Sequence, residues 1–98
     1  VNARAIITTG GYAGNSTADR AIAHGLGVIP KFVFILQVFD YNIWFVGFYN
    51  VAYIYAPAVP SFFGITIPDT TSFHVGNAGS YPNSANVTGK SYQWVTIG

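Results

Sequence analysis

The chain has 98 residues and a formal net charge of +1; 51% of its residues are hydrophobic and only 7% are charged, whereas an ordinary domain carries about 25% charged residues. This length is typical of one domain, so we expect residues 1–98 to form a single unit. The small net charge excludes a basic surface for nucleic acid, and the absence of cysteine excludes a disulfide scaffold, a zinc ribbon and a thiol nucleophile.

The hydrophobic residues do not form a membrane-spanning segment. A spanning helix needs about 20 consecutive apolar residues. The two longest runs, Phe32–Leu36 and Ile43–Tyr49, are far shorter, and the second contains Gly47. No basic stretch followed by an apolar stretch opens the sequence, so we expect neither a membrane partner nor a secretion signal.

The residue types indicate β-structure, because Val, Ile, Phe, Tyr, Trp and Thr are abundant and most strong helix formers are scarce. Glycine and proline recur at short intervals, as in small sandwiches and barrels. We therefore predict an all-β, antiparallel, jelly-roll-like β-sandwich of seven or eight short strands. In chain order the predicted strands are Arg4–Thr9, Asp19–Ala23, Lys31–Phe39, Ile43–Tyr49, Val51–Tyr55, Phe62–Ile67, Ser72–Val75 and Ser91–Ile97.

Two neighbouring strands are apolar on both faces. In Lys31–Phe39, Phe32, Phe34, Leu36 and Val38 share one face, while the opposite face also carries mainly apolar side chains. The strand Ile43–Tyr49 has the same property. Such a strand is covered on both sides, either within its own fold or by a neighbouring subunit.

The connections between strands carry recognisable turn residues. Gly10, Gly11 and Gly14 predict a flexible connection after the first strand, and the segment from Gly76 to Lys90 reads as a long loop rich in Gly, Asn and Ser. The loop contains the triplet Asn86-Val87-Thr88, which matches the pattern for N-linked glycosylation.

Catalytic patterns are weak. His24, His74 and Asp69 could be combined with a serine on paper, but the G-x-S-x-G motif of a nucleophile elbow does not occur. We interpret His24 as a residue that hydrogen-bonds its own turn, and His74 as a half-buried strand residue. The three aspartates and two histidines show no metal-ligand spacing, so we expect no catalytic residue, no metal and no cofactor.

The 17% of aromatic residues are more informative. A core of this size cannot hide all of them, and aromatic enrichment with few charges is typical of the centres of protein interfaces. We therefore expect some aromatic side chains to contact another subunit or partner. The candidates for this interface are Phe34, Trp44, Phe45, Tyr53 and Tyr55, with Tyr41 and Tyr49 in the same segment.

Four segments carry a resemblance to a known class of proteins: Gly11–Thr17, Ala21–Val33, Asp69–Asn77 and Tyr92–Gly98. The second contains His24-Gly25-Leu26-Gly27 followed by Pro30. Together they resemble small β-sandwich domains of structural proteins of tailed bacteriophages, found in capsid-decorating proteins and tail-fibre tips. Small lectin-like sandwiches that assemble as trimers are similar in architecture. In this motif, glycines permit a positive φ at the turn and Pro30 starts the next strand.

The resemblance implies a non-enzymatic virion protein on the capsid surface, which binds the major capsid protein and cements the shell as an oligomer, expected to be a trimer. The alternative is a receptor-binding module of a tail fibre that recognises host surface glycans. In that alternative, the glycan contacts would come from Tyr81, Asn83 and Asn86 in the long loop.

Overall fold

A computed structural model of the chain describes residues 6–40, 42–46 and 51–98. These residues form a β-sandwich of antiparallel strands, which confirms the predicted fold class. Eight strands lie within the described ranges: β1 (Ile7–Ala13), β2 (Arg20–Ala23), β3 (Phe32–Gln37), β4 (Ile43–Val46), β5 (Tyr53–Ala56), β6 (Ser61–Gly64), β7 (Ser72–Val75) and β8 (Ser91–Ile97).

The strands divide unequally between the two sheets. Six strands form one sheet in the order β1-β8-β3-β4-β5-β6, and β2 pairs with β7 in the other. Each pairing is antiparallel. In this order β1 and β6 are the edges of the larger sheet, and β1 pairs with β8 from the other end of the chain. A short 3₁₀ helix, Pro82–Ser84, lies in the long loop before β8.

The core lies between the inner face of the large sheet and the β2–β7 pair. The alternation of side chains along each strand places every second residue on this inner face. Val33 and Ile35 of β3 are fully buried there, as is Phe73 of β7. The other members of the core are Ile22, Trp44, Val46, Ile54, Ala56, Ile65, Val75, Ala85, Tyr92 and Trp94.

The first strand ends later in the chain than predicted. The strand runs from Ile7 to Ala13, so Gly10 and Gly11, which were predicted to lie in a flexible connection, are inside it. Residues 1–5 lie outside the described ranges. Gly10 faces Trp94 across the β1–β8 pair, and a Cβ on Gly10 would lie 2.4 Å from Trp94 Cζ2. The glycine therefore makes room for the indole ring instead of forming a turn.

The other strand boundaries differ by a few residues. The strands β7 and β8 have the predicted bounds. The strand β3 ends at Gln37, because the chain turns and Phe39 has a φ of 76°. Asp19 has a φ of 51°, which excludes it from β2. The predicted strand Ile43–Tyr49 is observed as Ile43–Val46, and residues 47–50 lie outside the described ranges.

Among the described residues, no helix has the length and apolar character needed to cross a bilayer.

Candidate functional site: an aromatic sheet face

The outer face of the six-stranded sheet carries a row of large aromatic side chains. The register sets Phe34 opposite Phe45, Phe45 opposite Tyr55, and Tyr55 opposite Phe62, so these side chains share one face across four strands. Phe32 and Tyr53 lie two residues along from Phe34 and Tyr55 and complete the row. We call this surface the aromatic face, and its members are Phe32, Phe34, Phe45, Tyr53, Tyr55 and Phe62.

The rings of the aromatic face contact one another. Phe45 packs edge-on against both Phe32 and Phe34, with ring centroids 5.6 Å apart in each case. The ring centroid of Phe62 lies 4.6 Å from that of Tyr55 and 5.9 Å from that of Tyr53. These contacts have the distances that aromatic pairs prefer. They form two groups of rings, one around Phe45 and one around Phe62, and the pairing of Phe45 with Tyr55 sets the two groups side by side on the same face.

The aromatic face remains accessible within the described residues. Phe62 keeps 66% of its surface exposed and Tyr53 keeps 50%, whereas Phe34, Phe45 and Tyr55 are half-buried. The outward positions of the six strands carry no charged residue. Such a surface is unsuited to gripping a charged ligand. It has the chemistry of an interface centre, where burial of apolar area provides the free energy of binding.

The structure brings together four of the five residues predicted for an interface. Phe34, Phe45, Tyr53 and Tyr55 lie on the aromatic face. The prediction did not include Phe32 and Phe62. The sequence alone could have placed Phe32 on this face, because it lies two residues before Phe34 on the same strand. The position of Phe62 depends on the pairing of β5 with β6, which the local sequence does not show.

Trp44 does not join the aromatic face. It points to the inner side of the sheet, where only 2% of its surface is exposed, and its ring packs edge-on against Tyr92. Its indole Nε1 donates a hydrogen bond to the carbonyl oxygen of Asn83 at 3.0 Å. Trp44 is therefore a core residue that anchors the long loop. Tyr41 and Tyr49 lie outside the described residues.

The three loop residues predicted to contact a glycan lie close together in the chain. The side-chain amides of two of them, Asn83 and Asn86, donate hydrogen bonds to other groups of the protein. The Asn83 amide donates to Ser80 Oγ at 3.0 Å. Tyr81 is half-buried, and its carbonyl oxygen accepts from the backbone N–H of Ser84 and of Asn86. The loop is thus held by its own hydrogen bonds.

Asn86 is fully buried and joins two loops. Its Nδ2 donates to Thr17 O at 2.8 Å and to Asn15 Oδ1 at 3.0 Å. Its Oδ1 accepts from Arg20 Nη1 at 3.1 Å and from the backbone N–H of Asn15. The side chain therefore links the segment before β2 to the segment before β8. A buried and fully bonded amide is not open to a ligand or to a glycosylating enzyme.

His24 hydrogen-bonds its own turn, as predicted. The backbone N–H of Leu26 donates to His24 Nδ1 at 3.0 Å, and His24 Nε2 lies 2.8 Å from the carbonyl oxygen of Asp69. Since Nδ1 accepts, Nε2 carries the proton and donates to that carbonyl. Gly25 and Gly27 have φ values of 73° and 75°, which confirms the conformational role predicted for these glycines.

The Asp69 carboxylate caps the turn that leads into β7. Its Oδ1 accepts from the backbone N–H groups of Thr71 and Ser72 at 2.8 Å, and from the Thr71 hydroxyl. These hydrogen bonds, with that from the Thr71 backbone the strongest, lower the pKa of Asp69 to about 2. His24 meets the backbone of Asp69 and not this carboxylate, so the two side chains do not form a catalytic pair.

His74, the second histidine, also contacts a neighbouring loop of the protein, at Asp19. His74 is half-buried in β7, as predicted, with Nδ1 3.4 Å from Asp19 Oδ1. The Asp19 carboxylate accepts hydrogen bonds from the backbone N–H and the hydroxyl of Thr66. Burial opposes ionisation of Asp19, but the Thr66 hydrogen bonds and nearby His74 outweigh it, and the pKa of Asp19 lies below its ordinary value.

Within the described ranges, no three His, Asp or Glu side chains converge as a metal site would require. Comparison with protein-family models, with curated proteins and with solved structures gives no match.

Proposed function

We propose that this chain is a non-enzymatic structural protein of a tailed-bacteriophage virion, which decorates the capsid and cements its shell as an oligomer. The observation that carries the proposal is the aromatic face, an uncharged surface of contacting rings on the side of the sheet away from the core. Monomeric proteins rarely expose a contiguous apolar patch of this kind without using it to bind another molecule.

The polar side chains support a structural role. His24, Asp69, Asp19 and Asn86 all bond to backbone or side-chain groups of neighbouring loops. Each of them is explained by the geometry of the turn or loop that it holds. The polar groups thus stabilise the scaffold, and the aromatic face is left for binding.

Cementing follows from the thermodynamics of binding. A protein that binds the assembled shell and not its separated subunits stabilises the shell by mass action. The major capsid protein is the partner that this proposal requires, and the contact would bury Phe45, Tyr55 and Phe62 at the centre of the aromatic face. Central aromatic residues dominate the binding energy of most protein interfaces.

Co-sedimentation with purified, undecorated shells tests this proposal. We expect Phe62→Ser to weaken binding at least 10-fold, which corresponds to about 1.4 kcal/mol of binding free energy. Phe39→Ser is the matched control, because Phe39 is 90% exposed in the turn after β3 and does not belong to the aromatic face. Unchanged binding of Phe62→Ser, or no binding by the wild-type chain, would overturn the proposal.

The alternative function, recognition of a host glycan by a tail-fibre module, finds less support in the geometry. Glycan recognition needs polar side chains that are free to bond to hydroxyl groups, whereas the amides of Asn83 and Asn86 bond to other residues of the protein. A glycan-array screen separates the two functions, since a specific glycan ligand together with no shell binding would favour the tail-fibre module.

A further inference from the structure

Among the described residues, no strand pairs with the outer edge of β1, which is one edge of the large sheet. Beyond the β1–β8 register, the N–H of Gly14 donates to Lys90 O and the N–H of Gly98 donates to Ile6 O, both at 2.8 Å. In an antiparallel pair, hydrogen-bonded positions alternate along the strand. The even-numbered residues of β1 therefore bond to β8, and Ile7, Thr9, Gly11 and Ala13 direct their N–H and C=O groups away from it.

One group on this edge has a partner within the protein. The carbonyl oxygen of Ala13 accepts a hydrogen bond of 2.6 Å from Arg20 Nη1. This contact agrees with the alternation, because Arg20 approaches β1 from the side opposite to β8. Within the described part of the chain, β1 pairs only with β8, so the edge groups of Ile7, Thr9 and Gly11 face outward unpaired by any described strand.

The opposite edge of the sheet, β6, is protected by its short length and by the proline that precedes it. The strand β6 has four residues and follows Pro60. The N–H of Ile65 donates to Ala52 O, which by the same alternation turns the backbone groups of Phe62 and Gly64 to the open side. The Gly64 carbonyl there accepts from Asn77 Nδ2 at 2.9 Å.

The strand β1, by contrast, is long, and Arg20 covers its edge only at Ala13. It has seven residues with no charge and no proline. Short strands, charges and prolines are the devices by which natural proteins prevent edge strands from pairing with another chain. A long edge without them, with outward N–H and C=O groups at Ile7, Thr9 and Gly11 that no described strand pairs, is complementary to another extended strand.

We propose that β1 pairs antiparallel with β1 of a second copy, about a two-fold axis at Thr9. In this register Thr9 lies opposite Thr9 of the second copy, and Ile7 lies opposite Gly11. Each of these pairs can exchange two main-chain hydrogen bonds. Ala13, whose carbonyl is already bonded to Arg20, lies beyond the last of these pairs. A centre at Gly11 would instead place Thr9 opposite Ala13, whose carbonyl oxygen is not free to accept a second strand's N–H in the same way, because it already accepts from Arg20 Nη1.

The side chains fit this register as well as the backbone does. Ile7 is 61% exposed and therefore available for contact. A shallow depression next to Gly11 is lined by residues of β1 and β8, namely Thr9, Gly10, Gly11, Gln93, Trp94 and Val95. Because Gly11 has no side chain, Ile7 of the second copy can enter the depression, and the two-fold axis repeats the contact.

The pairing has a consequence for the large sheet. Residues directly opposite each other in an antiparallel pair point to the same face, so the two six-stranded sheets would continue into one another with their outer faces on the same side. The aromatic faces of both copies would then line one surface. The two-fold pair also replaces the three-fold assembly expected from the sequence as the arrangement that we propose. It concerns contacts between copies of the chain and does not depend on binding to a shell.

Cysteine cross-linking tests the register directly, because the chain has no cysteine of its own. Opposed Cα atoms at a hydrogen-bonded antiparallel pair are about 5.5 Å apart, within the range that a disulfide spans. We expect Thr9→Cys, oxidised with glutathione disulfide, to give a covalent dimer on a non-reducing gel. Ile7→Cys on the same strand is the matched control, since its two copies would lie about 14 Å apart in this register.

Thr70→Cys is a second control. Thr70 is exposed and lies outside β1, so its cross-linking rate measures random collision between molecules. The proposal requires at least 10-fold faster cross-linking of Thr9→Cys than of either control. Light scattering on the cysteine-free wild type should give the mass of a dimer or of a multiple of it. Cross-linking of Thr9→Cys at the rate of Thr70→Cys, or a monomer or trimer by light scattering, would overturn the pairing. Loss of shell binding with an intact dimer would instead count against the proposed function alone.

Discussion

The indole ring of Trp94 lies against the backbone of Gly10 on the neighbouring strand, so that a Cβ on Gly10 would come within 2.4 Å of ring carbon Cζ2 and 2.7 Å of Cε2. Trp94 also packs edge-on against Phe73 of the opposing sheet, with ring centroids 5.5 Å apart. The ring is therefore held between the two layers and cannot move without disturbing the core. This close approach makes glycine necessary at position 10.

We predict that Gly10→Ala lowers the free energy of unfolding by about 1–3 kcal/mol, the usual cost of adding a methyl group to a filled site. Chemical denaturation measures this change. Gly64→Ala is the matched control, because a Cβ on Gly64 would meet no atom within 4 Å. If the two variants were equally stable, the contact with Trp94 would not explain the glycine.

Asn86 provides the second prediction. Asn86→Asp keeps the shape of the side chain but removes the donor that bonds to Thr17 O and Asn15 Oδ1. The carboxylate would then place negative charge beside two acceptors in a buried site. The Arg20 guanidinium, whose Nη1 lies 3.1 Å from Oδ1, offsets part of this cost, and we expect a net decrease of about 1–3 kcal/mol in the free energy of unfolding. Thermal unfolding should show a lower Tm. The exposed Asn42→Asp serves as control, and a similar Tm for both variants would contradict the role assigned to Asn86.

The third prediction concerns the contribution of His24 to the stability of the fold. His24→Ala leaves the Leu26 N–H and the Asp69 carbonyl without the partners that the ring supplies. The Leu26 N–H is buried and would cost about 1–3 kcal/mol when unpaired, whereas the contact with the Asp69 carbonyl is only part-buried, so we expect a decrease of at least about 1 kcal/mol in the free energy of unfolding. His74→Ala, at a half-buried position, should cost less. Denaturation midpoints of the two variants measure the difference, and a larger loss for His74→Ala would refute the prediction.

The acid stability of the fold depends on Asp69. Its pKa is lowered from 3.8 in the unfolded chain to about 2 by hydrogen bonds from Thr71 and Ser72. A carboxyl group with a lowered pKa in the folded state stabilises the fold fully above its unfolded pKa, and this contribution is lost as the pH falls through the folded pKa. We therefore expect Tm to fall as the pH is lowered from about 4 to about 2.

Asp69→Asn isolates this contribution, because the amide oxygen can still accept hydrogen bonds but does not ionise. Between these two pH values, the Tm of the variant should fall by less than the Tm of the wild type. Asp19 and Asp40 also have a lowered pKa in the folded state, so the variant keeps part of the acid dependence. An identical pH profile for variant and wild type would show that the Asp69 carboxylate has no part in it.

Local patterns in the sequence predicted several elements correctly. The alternation in Ser91–Ile97 gave the bounds of β8, and the turn residues around Ser72–Val75 gave those of β7. The role of His24 also followed from its neighbours, since a histidine before Gly-Leu-Gly can reach its own turn. These features depend on residues close in the chain, which is why they could be predicted.

Other features depend on contacts between distant residues. Gly10 and Gly11 have the composition of a loop but lie in a strand, because β1 pairs with β8 at the other end of the chain and Trp94 needs the space above Gly10. Trp44 was expected at an interface and is in the core, where the carbonyl of Asn83 satisfies its indole N–H. Neither partner could be identified from the local sequence.

By itself, the sequence determined that β3 and β4 are apolar on both faces, because side chains alternate along a strand with a period of two. That period does not say which face is covered. Only the tertiary structure decided that the β2–β7 pair covers the face of Val33 and Ile35, and that the face of Phe34 and Phe45 is left outward. The reason is physical, since covering a face needs a second layer, and that layer is built from strands that lie far apart in the chain.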